Sequence, residues 1–205
     1  MTLTNITTLP QLQAYTESFT GCPLKAHATR TVFAEGDPAS GIVLIGEAPG
    51  ANEDAVGKPF VGRSGKLLDK LLAEVHLSRH TQGRGGVYIT NSVFWRPPAN
   101  RTPTPDEILS CRPILLKHLE LLRPKIIVMV GGTAVKAVLQ TPAAMANVRG
   151  RWMDFPIPNL GPVATMAMFH PAYLLRNPPA TPQAQADMHM LRHKAAELGL
   201  LPPTP

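Results

Sequence analysis

Four short apolar runs predict an α/β fold: "IVLIG" from Ile42, "VYITNSVFW" from Val87, "KIIVMVGG" from Lys125 and "VATMAMFH" from Val163. Their apolar character is near-continuous rather than alternating, as in strands covered on both faces. Helical patterns lie between them, and this alternation makes right-handed crossovers and a parallel sheet the simplest packing. The expected architecture is a three-layer α/β/α sandwich on a central, mainly parallel four-stranded sheet. It forms one domain over residues 1–205, with loose ends at about 1–8 and 200–205.

Each helix carries its own signals. Ser64 can cap a helix whose Leu67, Leu68, Leu71, Leu72 and Val75 share one face. In "TPDEILSCRPILLKHLELL", Thr104 stands as N-cap, Pro105 at the first helical position and Glu107 three residues after the cap. This is a capping box ahead of an apolar stripe, and Pro113 predicts a kink within it. "TAVKAVL" and "PQAQADMHMLRHKAAEL" supply a third and a fourth helix. The Pro-rich stretches around 97–105, 156–162 and 178–182 read as loops.

Composition excludes several classes. The 205 residues are 44% hydrophobic, enough for a sizeable core. No apolar run approaches the roughly 20 residues of a membrane span, so no membrane partner is expected. The stretch "MTLTNITTLPQLQAY" has neither a basic start nor an apolar signal core, and the expected location is cytoplasmic. Two cysteines, Cys22 and Cys111, are too few for a disulfide scaffold or a four-thiolate metal site. A formal net charge of +6 favours a polyanionic partner.

Open α/β sheets bind ligands at the carboxyl ends of their strands, and the chemistry of this chain falls there. "GEAPG" follows the first run, Asn91 and "WRPPANR" the second, "GGT" the third and "HPAYLLRNP" the fourth. Phe60, on the "GKPFVG" loop, either stacks on a flat ligand or tucks into the core. Asn91 either pairs with a base edge or satisfies a turn backbone. His170 can donate to a developing anion or serve structure alone. "YLLRN" is either an apolar wedge beside a phosphate contact or the first turn of a buried helix.

Three motifs in this order, "TVFAEGDP…VLIGEAPGANEDAVGKPFVGRSGKLLD", "YITNSVFWRPPANRTPTPDEILSCRP" and "FHPAYLLRNP", cover roughly residues 22–178. Together they resemble the family 4 uracil-DNA glycosylases of the uracil-DNA glycosylase superfamily. The resemblance implies an enzyme that flips uracil out of DNA and hydrolyses its N-glycosidic bond, leaving an abasic site. It implies that the turn at Glu47 and Ala48 cradles uracil and that the Glu47 carboxylate is catalytic, with Glu53 a second candidate. Phe60 would stack on the flipped base, Asn91 would read its N3 and O4 edge, and His170 would face O2. Leu174, Leu175 and Arg176 would enter the DNA, with Arg63, Arg96 and Arg101 as further DNA contacts. The partner would be uracil-containing DNA and the enzyme a monomer. A dinucleotide-binding domain is the weaker reading, since "GEAPG" lacks the G-x-G-x-x-G spacing. A DNA-binding accessory without catalysis conflicts with the presence of Glu47, Asn91 and His170 together.

Departures from the pattern carry their own expectations. Superfamily members with an aspartate just before the proline of the turn have an obvious water-activating carboxylate, whereas Ala48 stands here. Activation then falls to Glu47, Glu53 or a backbone carbonyl. The basic insertion of the covalently trapping branch does not follow "PFVG", so turnover is expected. Family 4 enzymes typically hold a [4Fe–4S] cluster on four cysteines. Cys22 and Cys111 match two of these positions, while Phe19 and Trp95 occupy the other two. No cofactor and no metal are therefore expected, and the two rings could form an apolar plug. A lone metal on Cys22 and Cys111 with His27 or another residue is the competing arrangement.

Overall fold

In the computed structural model, which describes residues 2–141 and 145–202, the sheet is organised around β2 (Ile42–Gly46), a strand buried along its whole length. On one side of β2 lies β3 (Tyr88–Asn91) and on the other β4 (Ile126–Val130), both parallel to it. β6 (Gly161–Met168) extends this parallel set beyond β4. Two antiparallel edges complete the sheet: β1 (Glu35–Gly36) beside β3 and β5 (Trp152–Ile157) beside β6. The order is β1-β3-β2-β4-β6-β5, so the expected four-stranded parallel sheet is the centre of a six-stranded mixed one. β1 is too short to show a pattern, and β5 contains Pro156, which an edge strand tolerates but a reader of sequence takes for a loop.

Alternate β2 side chains feed two cores. Val43 and Ile45 pack with Leu12 of α1 (Leu9–Ser18), Ile114, Leu115 and Leu119 of α4 (Pro105–Leu122), and Val135 of α5 (Gly132–Leu139). Ile42 and Leu44 pack with Leu68, Leu71 and Leu72 of α3 (Arg63–Glu74) and with Met188 and Leu191 of α8 (Thr181–Glu197). These are the three layers expected from the sequence. The shorter helices are α2 (Ala51–Val56), α6 (Met145–Val148) and α7 (Pro171–Arg176).

Local signals mostly act as read. The Thr104–Glu107 capping box forms with Pro105 at the first position, and α4 runs on through Pro113 to Leu122. Ser64 is not a cap: α3 starts at Arg63 behind Gly62. In the N-terminal segment Ile6 is fully buried and Thr8 forms a capping box with Gln11 at the start of α1. At the other end Leu200 is buried and its carbonyl accepts from the Gly85 N–H at 2.8 Å, while residues 203–205 lie outside the described residues. No helix among the described residues is long and apolar enough to cross a membrane.

One buried pair in the core titrates. The Tyr88 hydroxyl meets His118 Nε2 at 2.8 Å, and the Phe33 ring stacks on the imidazole with centroids 4.4 Å apart. Burial pushes the His118 pKa from 6.5 down to about 3, so the folded protein holds it neutral. An unfolded chain binds a proton there below about pH 6.5, while the folded one resists until about 3. The stability is thus complete above the unfolded pKa and lost on acidification, by up to about 1.4 kcal/mol per pH unit. His118→Gln, which keeps a polar partner for Tyr88 but does not titrate, should flatten the decline in melting temperature across that acid window. Parallel wild-type and variant profiles would show that another group governs it.

Candidate active site

The chain passes from β2 to β3 on one side and then across to β4 on the other, and this reversal opens a crevice at the carboxyl ends of the strands. The strands end at Gly46, Asn91, Val130 and Met168. A cavity of about 440 Å³ occupies the crevice. Its walls include Ala48, Glu53, Phe60, Arg63, Asn91 and His170, six of the residues singled out in the sequence.

Phe60 and Asn91 meet over Gly46. Gly46 pairs with Asn91 across the β2–β3 ladder, and Ser92 reinforces the junction by donating its N–H and hydroxyl to the Gly46 carbonyl at 2.9 and 2.7 Å. A Cβ at Gly46 would overlap Asn91 Oδ1 and come within 2.5 Å of Phe60 Cε2. The glycine therefore lets an aromatic face and an amide edge close on one corner of the cavity. Asn91 is 2% exposed, and among the described residues no hydrogen bond engages its amide. Phe60 is buried at φ +54°, and its ring stacks on His170 with centroids 5.5 Å apart. Phe60 is thus part of the core and at the same time one of the residues that line the cavity.

The left-handed Phe60 is held from both sides. Glu53 accepts from the Val61 and Gly62 N–H groups through Oε1, both at 2.9 Å, and from the Gly50 N–H through Oε2 at 3.1 Å. Its carboxylate thus binds the "GEAPG" turn to the Phe60 loop. On the other side Arg79 donates to the Pro59 carbonyl at 2.8 Å and pairs with Asp69 at 2.8 Å. Arg79 is buried on a loop with no motif, and nothing in the sequence marked it.

His170 caps α7, its Nδ1 accepting from the Ala172 N–H at 3.1 Å. An imidazole that accepts at Nδ1 carries its single proton on Nε2 when neutral. Burial lowers its pKa, with the Glu47 charge opposing and Arg176 assisting. Glu47 is half-buried and is not part of the cavity wall; its Oε2 accepts from the Thr133 hydroxyl at 2.7 Å. Thr133 follows the "GG" after β4, a strand-end cluster noted in the sequence without any residue assigned.

The expected DNA contacts divide. Arg63 and Arg176 are exposed, and Leu175 and Tyr173 are exposed apolar side chains at 40% and 38%. Leu174 is 2% exposed and packs in the core, while α7 presents Leu175 and Tyr173 outward. A six-residue helix is too short for its periodicity to reveal this. Arg101 forms two hydrogen bonds to Glu107, at 2.8 and 2.6 Å, and Arg96 donates to Asn100 at 2.7 Å.

At the four positions of the cluster ligands, the Phe19 and Trp95 rings stack with centroids 6.2 Å apart, and Trp95 Nε1 donates to Thr31 at 3.0 Å. Cys22 and Cys111 are buried free thiols. The mutual interaction of the two thiols lowers the pKa of Cys22 and, together with burial, raises that of Cys111. Two thiols and two rings do not fit a cluster that takes four thiolates. Among the described residues no three His, Cys, Asp or Glu side chains are grouped to hold a metal ion, His27 with the cysteines included.

Comparison with known proteins identifies the family. Residues 33–190 match the Uracil DNA glycosylase superfamily. A type-4 uracil-DNA glycosylase of Thermotoga maritima is 43% identical over 159 residues, 77% of this chain and 78% of the relative. One from Pyrobaculum aerophilum is 36% identical over 173 residues, 82% and 85% of the two chains. A type-5 uracil-DNA glycosylase of Thermus thermophilus is 36% identical over 155 residues, 67% and 69%. The chain belongs to the uracil-DNA glycosylase superfamily, and within it to the type-4 family.

Gly46→Ala should destabilise the fold by about 1–3 kcal/mol, since the added methyl must displace both Asn91 and Phe60. Thermal unfolding measures this, and an unchanged melting temperature would contradict the close approach.

Proposed function

We propose that this protein removes uracil from DNA by hydrolysing its N-glycosidic bond, and that the His170 corner carries the chemistry. The supporting observation is the Ala172 N–H bond to Nδ1, which commits the neutral imidazole to donating from Nε2. Bond cleavage moves an electron pair onto uracil, placing negative charge on O2 and positive charge on the sugar. A fixed donor toward O2 interacts most strongly in the transition state, which is where binding energy accelerates the reaction. Water then adds to C1′ of the sugar, and the proton it loses neutralises the uracil anion, leaving an abasic site and free uracil.

The other groups take complementary parts. Phe60 offers an aromatic surface to the flipped base. The Asn91 amide, with donor and acceptor in one plane, pairs with O4 and N3–H of uracil and opposes cytosine, which reverses both. Of the two candidate carboxylates, Glu53 is saturated by three backbone donors, whereas Glu47 keeps Oε1 without a protein partner among the described residues. Glu47 is thus the better group to stabilise the sugar cation or align water. Flipping costs a few kcal/mol, which an apolar wedge and phosphate contacts offset; exposed Leu175 with Arg176 and Arg63 fits that need.

Incubation with a uracil-containing oligonucleotide should release uracil. His170→Ala should slow the single-turnover step about 10²–10³-fold with little change in substrate binding. Intact chemistry with weakened binding would make His170 a positioning group. No uracil release from either single- or double-stranded substrate would overturn the assignment as a whole.

We further propose that the protein carries no iron–sulfur cluster, on the donor set described above. Protein purified without oxygen should be colourless and free of iron. Stoichiometric iron and sulfide in that preparation would refute this.

A further inference from the structure

The connection from β4 into α5 touches both groups that the proposed chemistry needs. Gly131 has φ +94°, and a Cβ there would lie 2.9 Å from the His170 Cβ, so the backbone passes directly against the histidine. Two residues on, the Thr133 hydroxyl donates to Glu47 Oε2 at 2.7 Å across 86 residues of sequence. Thr133 is 7% exposed, and its β-branched side chain has little rotational freedom. In the first turn of α5 it has no carbonyl of a preceding helical turn to return to, so its hydroxyl is free for a partner on another element. Glu47, by contrast, sits on a turn with a flexible three-bond side chain.

We infer that Thr133 is a positioning residue for catalysis: by holding Oε2 it fixes the Glu47 carboxylate with Oε1 turned to the reacting sugar. This rests on the reading of Glu47 as the catalytic carboxylate. Thr133 touches no substrate atom in this role. Its contribution is orientation, and a carboxylate left free to rotate would lose rate rather than affinity.

The test is a double-mutant cycle read by single-turnover uracil release and by binding of a uracil-containing oligonucleotide. Thr133→Val keeps the shape and removes the donor; Thr133→Ser restores the donor. Thr133→Val should cut the rate about 10- to 100-fold, the range for a hydrogen bond to a charged group, with binding changed less than about twofold. Thr133→Ser should recover most of the rate. In a Glu47→Gln background, itself slow, Thr133→Val should add almost nothing. Should Thr133→Val fail to fold, Thr133→Ala takes its place. A wild-type rate in Thr133→Val, an equal loss in Thr133→Ser, a loss confined to binding, or additive losses in the cycle would each overturn the inference while leaving Glu47 as assigned. Wild-type rates in Glu47→Gln would instead remove the Glu47 reading and this inference with it.

Discussion

The Glu53 carboxylate holds the candidate site together. Three backbone N–H groups from two separate loops, Gly50 on one and Val61 and Gly62 on the other, converge on its two oxygens. A carboxylate satisfied in this way is a fixed node, since each charge-assisted bond is stronger than a neutral one and all three would be unpaired if the side chain left. Phe60 depends on that node. Its left-handed backbone costs of order 1 kcal/mol or more for a non-glycine residue, and it persists because Glu53 fixes the residues after it and Arg79 the carbonyl before it. The strain is thus carried by a frame of buried hydrogen bonds, and the ring is presented in one orientation before any ligand arrives.

The sheet supplies the second constraint. Parallel pairing of β2 with β3 and β4 brings the three chain turns that follow Gly46, Asn91 and Val130 to the same edge. One-residue register then decides side-chain contacts: Gly46 opposite Asn91 makes room for the amide and the ring together. A slip would exchange the two faces of every strand and separate the groups.

Much of this was legible because it depends on local rules. Continuous apolar runs marked the four parallel strands; the strand-end rule pointed to Ala48, Asn91 and His170, the motif resemblance added Glu53 and Phe60, and all five line one cavity. The parts that escaped depend on tertiary context. β5 is a proline-bearing edge whose partner strand makes it a strand, and β1 is two residues long. The Thr8–Gln11 capping box was present in the sequence but lies in a polar segment whose helix shows only a weak apolar face. The burial of Leu174 beside exposed Leu175 was not legible either, because a six-residue helix is too short to show which face packs inward, and the packing of α7 against α3 decides it. Thr133 and Arg79 act across 86 and 20 residues, and no spacing rule reaches that far.

The Phe19–Trp95 stack shows how one local junction can be held by different chemistry. Four positions meet there from three segments: Phe19 at the end of α1, Cys22 just beyond it, Trp95 after β3 and Cys111 within α4. Linking them matters to the site, because the segment that carries Trp95 follows directly from Asn91, the last residue of β3, and the Val32 N–H donates to the Phe94 carbonyl at 2.8 Å. Apolar burial achieves the link here. A fully buried large ring removes about 150–250 Å² from water, worth roughly 4–6 kcal/mol as an upper estimate at 25 cal/mol per Å². Trp95 reaches that limit at 1% exposure while its indole N–H is satisfied by Thr31, so no polar group is left unpaired to subtract from it. Cys22 and Cys111 lie buried as free thiols in the same cluster, so their side chains add to that packing.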